Sequence, residues 1–229
     1  MSAALLAVLL ITAMLTSGCT GDSSVPPVKV LFIGNSYTAY NGGIDAALRG
    51  LAPRISVGSV APGGYTLRQH LADPTTMDTL DDGWDYIVLQ EQSQKPVYDY
   101  ADYLDSARQL TKRIRELNGN PRLLMTWARP DSARVTTEAL RRTTSSVANK
   151  LGLSVIPAGT AFADSARANP AIILNGADGH PTREGTYLAA CAVFAQLFGR
   201  TPVGNTYTAG LDAGVAKSLQ QAAARTAGR

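Results

Sequence analysis

Cysteine and histidine are both scarce in this chain, and each shortage removes a class of chemistry. Two cysteines in 229 residues give no disulfide framework, because Cys19 falls in the leader described below and Cys191 is then without a partner. Two histidines, with no Cys, Asp or Glu gathered at ligand spacing, give no metal centre. Charge of one sign is also lacking: 21 basic against 18 acidic residues leave a formal charge of +3. The cluster at 112–115 and the pair Arg141-Arg142 lie on amphipathic stretches without interleaved aromatics, so they read as solvated faces and no nucleic-acid partner is expected. Neither G-x-G-x-x-G nor a Walker sequence follows the first strand-like run, which disfavours a nucleotide-binding domain. No cofactor is expected.

What is present begins with an apolar leader. SAALLAVLLITAML, within residues 1–18, is too short to span a bilayer comfortably and is followed by small residues, the pattern of an export signal. Leu15-Thr16-Ser17-Gly18-Cys19 resembles a bacterial lipobox, although Thr16 stands where Leu is preferred and no Lys or Arg precedes the apolar run. The expectation is that Cys19 is lipidated and that the protein is exported and held at the cell-envelope membrane; a plain cleaved signal and an uncleaved anchor are the alternatives. Residues 19–27, polar and ending in two prolines, read as a tether. Residues 28–229, in a chain that is 45% hydrophobic, are enough for one domain with a substantial core. Oligomeric state is not legible.

Strand-like and helix-like patterns alternate through that domain. Val28-Lys29-Val30-Leu31-Phe32-Ile33 is nearly continuous in apolar residues, as in a strand buried on both faces. A helix through Ile44, Ala47, Leu48 and Leu51 stops at Pro53. Further strands are expected at 55–60, 86–89, 123–127 and 153–156. Residues 66–82 read as a short helix and an acidic surface segment. Tyr103, Ala107, Leu110, Ile114 and Leu117 mark the clearest helix, closed by Asn118-Gly119. Others are expected over 131–151, over 160–168, along Tyr187, Ala190, Cys191, Phe194 and Leu197, and as an Ala-rich surface tail over 209–226. Cys191 falls inside its apolar stripe and reads as a core residue. The alternation implies right-handed βαβ units in a three-layer α/β/α fold: a flavodoxin-like, doubly wound, five-stranded parallel sheet.

Four polar segments punctuate this pattern. Gly34-Asn35-Ser36 ends the first strand, where Ser36 is either part of a turn and helix cap or a hydroxyl projecting from the carboxyl edge of the sheet. Pro62-Gly63-Gly64-Tyr65-Thr66 follows the second strand, and Gln90-Glu91-Gln92-Ser93-Gln94 follows the third. Those amides either satisfy loop backbone groups or point into a polar site. Asp178-Gly179-His180-Pro181 opens the last core helix. A serine hydroxyl becomes a nucleophile when a base takes its proton, and the base needs a carboxylate to fix its tautomer. Ser36, His180 and Asp178 supply these groups. His70 reads as a helix-surface or half-buried residue, and Trp127 as a pocket wall or a core residue.

In this order, IGNSYT, GGYT, the polar third block and Asp-Gly-His-Pro resemble the blocks of the SGNH (GDSL-like) hydrolases over residues 28 to 200. The resemblance implies a flavodoxin-like fold, ester hydrolysis on lipid, carbohydrate or small acyl substrates, Ser36 as nucleophile, His180 as base and Asp178 as its acid. It also implies an oxyanion hole built from the N–H groups of Ser36 and Gly64 and a third donor. Three departures accompany it. Asn35 replaces the usual Asp, a change expected to matter little. Asp178 and His180 are separated by one residue instead of two. The Gly-x-Asn-Asp block is replaced by Gln92-Ser93-Gln94-Lys95, which leaves Gln94, favoured by ungapped counting, or Gln92 as third donor. The expectation is a serine esterase acting on a short-acyl or carbohydrate ester. A lipid-anchored surface protein of the same fold that binds a glycan or acyl group without turnover is the alternative.

Overall fold

The computed structural model describes residues 26–227; the expected signal peptide, Cys19 and the tether up to residue 25 lie outside them. Five parallel strands, β1 (Lys29–Ile33), β2 (Ser56–Val60), β3 (Tyr86–Leu89), β4 (Asn120–Leu124) and β5 (Ser154–Ile156), form one sheet in the order β2-β1-β3-β4-β5. The doubly wound expectation holds, and β1 and β3 flank the point where the winding reverses, the usual ligand crevice of such sheets.

Alternation along the strands explains the layering. Val30, Phe32, Val88 and Leu124 face one side and pack with helices Ile44–Leu51, Ala158–Ala168, Arg183–Phe198 and Ala213–Thr226. Leu31, Ile33, Ile87, Leu89 and Leu123 face the other, against helices Leu67–Ala72, Pro74–Asp81, Tyr100–Glu116 and Thr137–Leu151. Strands covered on both faces can be apolar at every position, which is why β1 shows no polar alternation.

Three expectations change. The fourth strand ends at Leu124 because its partner β5 ends at Ile156; beyond that the Met125 N–H reaches back to Ile156 O and its carbonyl takes the Gly159 N–H. The following helix starts at Thr137, not near 131, since Arg129 N donates to Val135 O and folds the segment back on itself. Thr136 then caps the helix by accepting from Ala139 N. The Ala-rich tail is not superficial: Leu219, Ala222 and Ala223 are fully buried. The helix Arg183–Phe198 is consequently covered on all sides, with its apolar residues no longer confined to one stripe. Among the described residues no helix is long and apolar enough to cross a membrane.

Candidate active site

Register brings three loops to one rim. Ile33 lies opposite Val60 on one side and Leu89 on the other, so the segments beginning at Gly34, Ala61 and Gln90 leave the sheet at the same level. Gly34 N donates to Val60 O at 3.0 Å and Gln90 N to Ile33 O at 2.8 Å. Asn35 is the cap of the short helix Ser36–Ala39, its side-chain oxygen accepting from Tyr37 N at 3.0 Å. The capping role therefore falls to Asn35, and the adjacent Ser36 occupies the first helical position with its hydroxyl half-exposed. Both sequence readings of this turn are realised, on neighbouring residues.

His180 arrives from the opposite direction, on a loop closed by the bridge between Asn175 and Pro181 and by Gly176 N donating to His180 O at 2.9 Å. Its Nε2 is 2.9 Å from Ser36 Oγ, and its Nδ1 is 2.8 Å from Asp178 Oδ2. Asp178 Oδ1 also accepts from the His180 backbone N–H at 3.1 Å. A carboxylate only two positions away reaches both groups because Gly179 has φ +80°, a left-handed bend. A Cβ there would also collide with the Tyr37 hydroxyl. The hydrogen bond from His180 holds the Asp178 carboxyl below the usual carboxylate range.

Aromatic rings fix the imidazole in place. Tyr40 stacks on it with centroids 4.2 Å apart, and Tyr37 meets it edge-on at 5.4 Å. Trp127 is buried, stacked between Tyr37 and Phe162, and donates from Nε1 to Gly179 O at 2.9 Å. It is a core residue that braces the histidine loop, and its edge also lines a groove with Ala128, Pro130 and Phe162. Asn41, at φ 55°, donates to Pro181 O and Thr186 Oγ1, tying the Ser36 segment to the His180 segment.

The rim's other groups are placed as follows. Gly64 has φ +75° with open space around the position of a Cβ, so the turn conformation, not crowding, requires glycine. Among the described residues, the backbone N–H groups of Ser36 and Gly64 have no acceptor. Gln92 Oε1 accepts from Gln94 N at 2.8 Å and Lys95 N at 3.1 Å, which leaves its amide nitrogen free to donate elsewhere. The Gln94 side chain makes no hydrogen bond among the described residues.

Asn35 contributes more than its expected equivalence to Asp. Its Nδ2 donates to Tyr65 O at 2.8 Å, a bond that a carboxylate cannot make. His70 departs further from expectation: it is fully buried, with Nε2 2.7 Å from Gly34 O and Nδ1 2.8 Å from Thr76 Oγ1, a hydroxyl that also reaches Asp73 Oδ2 at 2.7 Å. It supports the Gly34-Asn35-Ser36 turn from beneath. Gln90 does the same from the side, accepting from Asn35 N at 3.0 Å and Thr38 Oγ1 at 2.9 Å. Cys191 is buried and burial pushes its thiol up to about 12, so it is inert. Among the described residues no group of three or more His, Cys, Asp or Glu could hold a metal ion.

No family model and no curated protein matches this chain by sequence. Solved structures do match. A DUF4886 family protein from Bacteroides uniformis superposes with a TM-score of 0.73 at 24% identity, over 87% of this chain and 94% of its own. A proposed SGNH hydrolase from Slackia heliotrinireducens gives a TM-score of 0.65 at 25% identity, over 73% and 97%. The acetyl xylan esterase AlAXEase gives a TM-score of 0.59 at 15% identity, over 73% and 98%.

Proposed function

We propose that this chain, which belongs by fold to the SGNH hydrolase superfamily, is a serine esterase that removes short acyl groups, such as acetyl, from a carbohydrate or other small alcohol. The observation that carries the reading is the unbroken line from Ser36 Oγ through the His180 ring to Asp178, with links of 2.9 and 2.8 Å. Nδ1–H donates to the carboxylate, so Nε2 is left as the acceptor for the serine proton. Ser36 Oγ bonds to the acyl carbon as that proton passes to Nε2. The departing alkoxide takes the proton, leaving acyl-Ser36, and a water deprotonated by the same nitrogen then releases the acid and restores the enzyme.

The free N–H groups of Ser36 and Gly64 suit the developing oxyanion. For the third donor the reading favours Gln92 over Gln94, because two backbone N–H groups hold its amide oxygen in place. A donor fixed in advance stabilises a transition state better than one that must be ordered, and such a donor is commonly worth about 3 kcal/mol. The short-acyl, carbohydrate preference draws on the acetyl xylan esterase among the structural neighbours.

Export and lipidation at Cys19 complete the proposal. Fluorophosphonate labelling tests the chemistry: the wild type should be labelled and Ser36→Ala, still folded, should not. Equal labelling of both would reject it. Binding of acetylated sugars without labelling or turnover would point to a ligand-binding protein instead. Incorporation of a radiolabelled fatty acid, abolished by Cys19→Ala, tests the anchor.

A further inference from the structure

Resting on the esterase reading, we infer that Glu91, which touches neither substrate nor the reacting atoms, is a positioning residue that holds the Gly64 loop and the Gln92 loop in a fixed relation beside Ser36. Glu91 leaves β3 immediately after Gln90 and is only 2% exposed. Its Oε1 accepts from Leu67 N at 3.1 Å and from Gln92 N at 2.6 Å. One carboxylate oxygen therefore joins the start of the helix that follows Gly64-Tyr65-Thr66 to the segment that carries Gln92. The Gly64 loop is held from its other side as well, where Tyr65 O takes the Asn35 amide at 2.8 Å. Gly64 thus lies just ahead of a stretch restrained at residues 65 and 67.

The placement costs energy that packing alone does not require. Oε2 is buried with no partner among the described residues, and an uncompensated buried oxygen is one of the more expensive features a core can retain. Burial pushes the carboxyl up to about 7. The groups facing it are Lys95, which favours its charge, and Asp102, which opposes it, with the buried Tyr103 on the same helix. Asp102 is itself held by Lys95 at 2.7 Å and by Arg68 at 2.9 Å. Arg68 follows the Gly64 loop and Lys95 follows the Gln92 loop. The helix Tyr100–Glu116 thereby ties the same two loops a second time, and Glu91 is the inner of the two ties.

The test compares full-length wild type, Glu91→Ala and Glu91→Gln. The Gln variant keeps a side-chain carbonyl for Leu67 N and Gln92 N, whereas Ala removes it. For a short-acyl ester, Ala should lower kcat at least tenfold with KM little changed, and Gln should restore most of that loss. Amide hydrogen exchange at Leu67 and Gln92 should be slow in wild type and Gln and fast in Ala. Should Ala fail to fold, the Gln variant decides alone: slow exchange with near-wild-type kcat supports the inference. Unchanged kcat in a folded Ala variant, or a Gln variant as impaired as Ala, overturns it. If wild type itself neither labels nor turns over, the esterase reading fails, and the exchange pattern still decides whether Glu91 holds the loops.

Discussion

Two histidines bracket the Gly34-Asn35-Ser36 turn, each with Nε2 within hydrogen-bond reach of it, and they do opposite things. His180 Nε2 meets a hydroxyl at 2.9 Å, which can donate, while its Nδ1 meets a carboxylate, which can only accept. His70 Nε2 meets the Gly34 carbonyl at 2.7 Å, which can only accept. The proton therefore sits on Nδ1 in one ring and on Nε2 in the other. One ring is left with a lone pair aimed at Ser36, the other with an N–H committed to the backbone. The surroundings match the roles, since the His180 side chain is 26% exposed on a glycine-rich loop and His70 is sealed in the core.

Substituting each ring by Ala separates the two most sharply. His180→Ala should cost roughly 10³-fold or more in kcat, with a melting temperature close to wild type. His70→Ala should instead cost about 2–4 kcal/mol of stability, since it opens a cavity and strands Gly34 O. Activity and thermal denaturation measured on both variants check this; a His180 variant that melts early, or a His70 variant that does not, breaks the contrast.

A pH series sharpens it. Burial lowers the affinity of His70 for a proton below that of an ordinary histidine. Below about pH 6.5 the unfolded chain then binds a proton that the folded chain refuses, so this residue makes stability fall on acidification, with a slope of at most ~1.4 kcal/mol per pH unit. Denaturant titrations between pH 5 and 8 should show that component in wild type and lose it in His70→Gln.

Asn35→Asp should reduce kcat by about tenfold, because it deletes the donor to Tyr65 O and brings a negative charge close to a developing oxyanion. The smallest effect is expected from Tyr40→Ala, which removes a stacked ring from the exposed face of His180. Such contacts are worth about 0.5–1.5 kcal/mol, and at this exposed ring the low end applies, roughly 2- to 5-fold in kcat. Steady-state kinetics on both variants should preserve this ranking.

The fold and the three central side chains were legible for different reasons. Unbroken apolar strands alternating with helical periodicity left little besides a parallel, doubly wound sheet. Ser36, Asp178 and His180 stood out because each sits in a polar, glycine-bearing break between apolar elements. The supports did not, because they depend on contacts across long stretches of chain. Nothing in Thr66-Leu67-Arg68-Gln69-His70 announces that Gly34 will lie above it. Asn35 reads as a stand-in for Asp in the sequence because its partner, Tyr65 O, is an anonymous backbone atom. Tyr37 and Tyr40 carry no local signal of a role, although their offsets of one and four from Ser36 put both on the turn that carries it. The limits near 124 and 137 differ from the local pattern because contacts elsewhere set them: β4 stops where its partner β5 ends, and the return of Arg129 N to Val135 O holds the helix back to Thr137.

The stack of Phe162, Trp127 and Tyr37, with the indole bonded to Gly179 O, also gives the molecule an optical reporter. Only two tryptophans occur in the chain, and the other, Trp84, precedes β3 at the amino-terminal edge of the sheet. Replacing Trp84 with Phe would leave emission from a single indole, hydrogen-bonded to Gly179, the residue that precedes His180. Its spectrum and quenching would then follow movement of the histidine loop when a ligand or a fluorophosphonate is added, in real time and without a label.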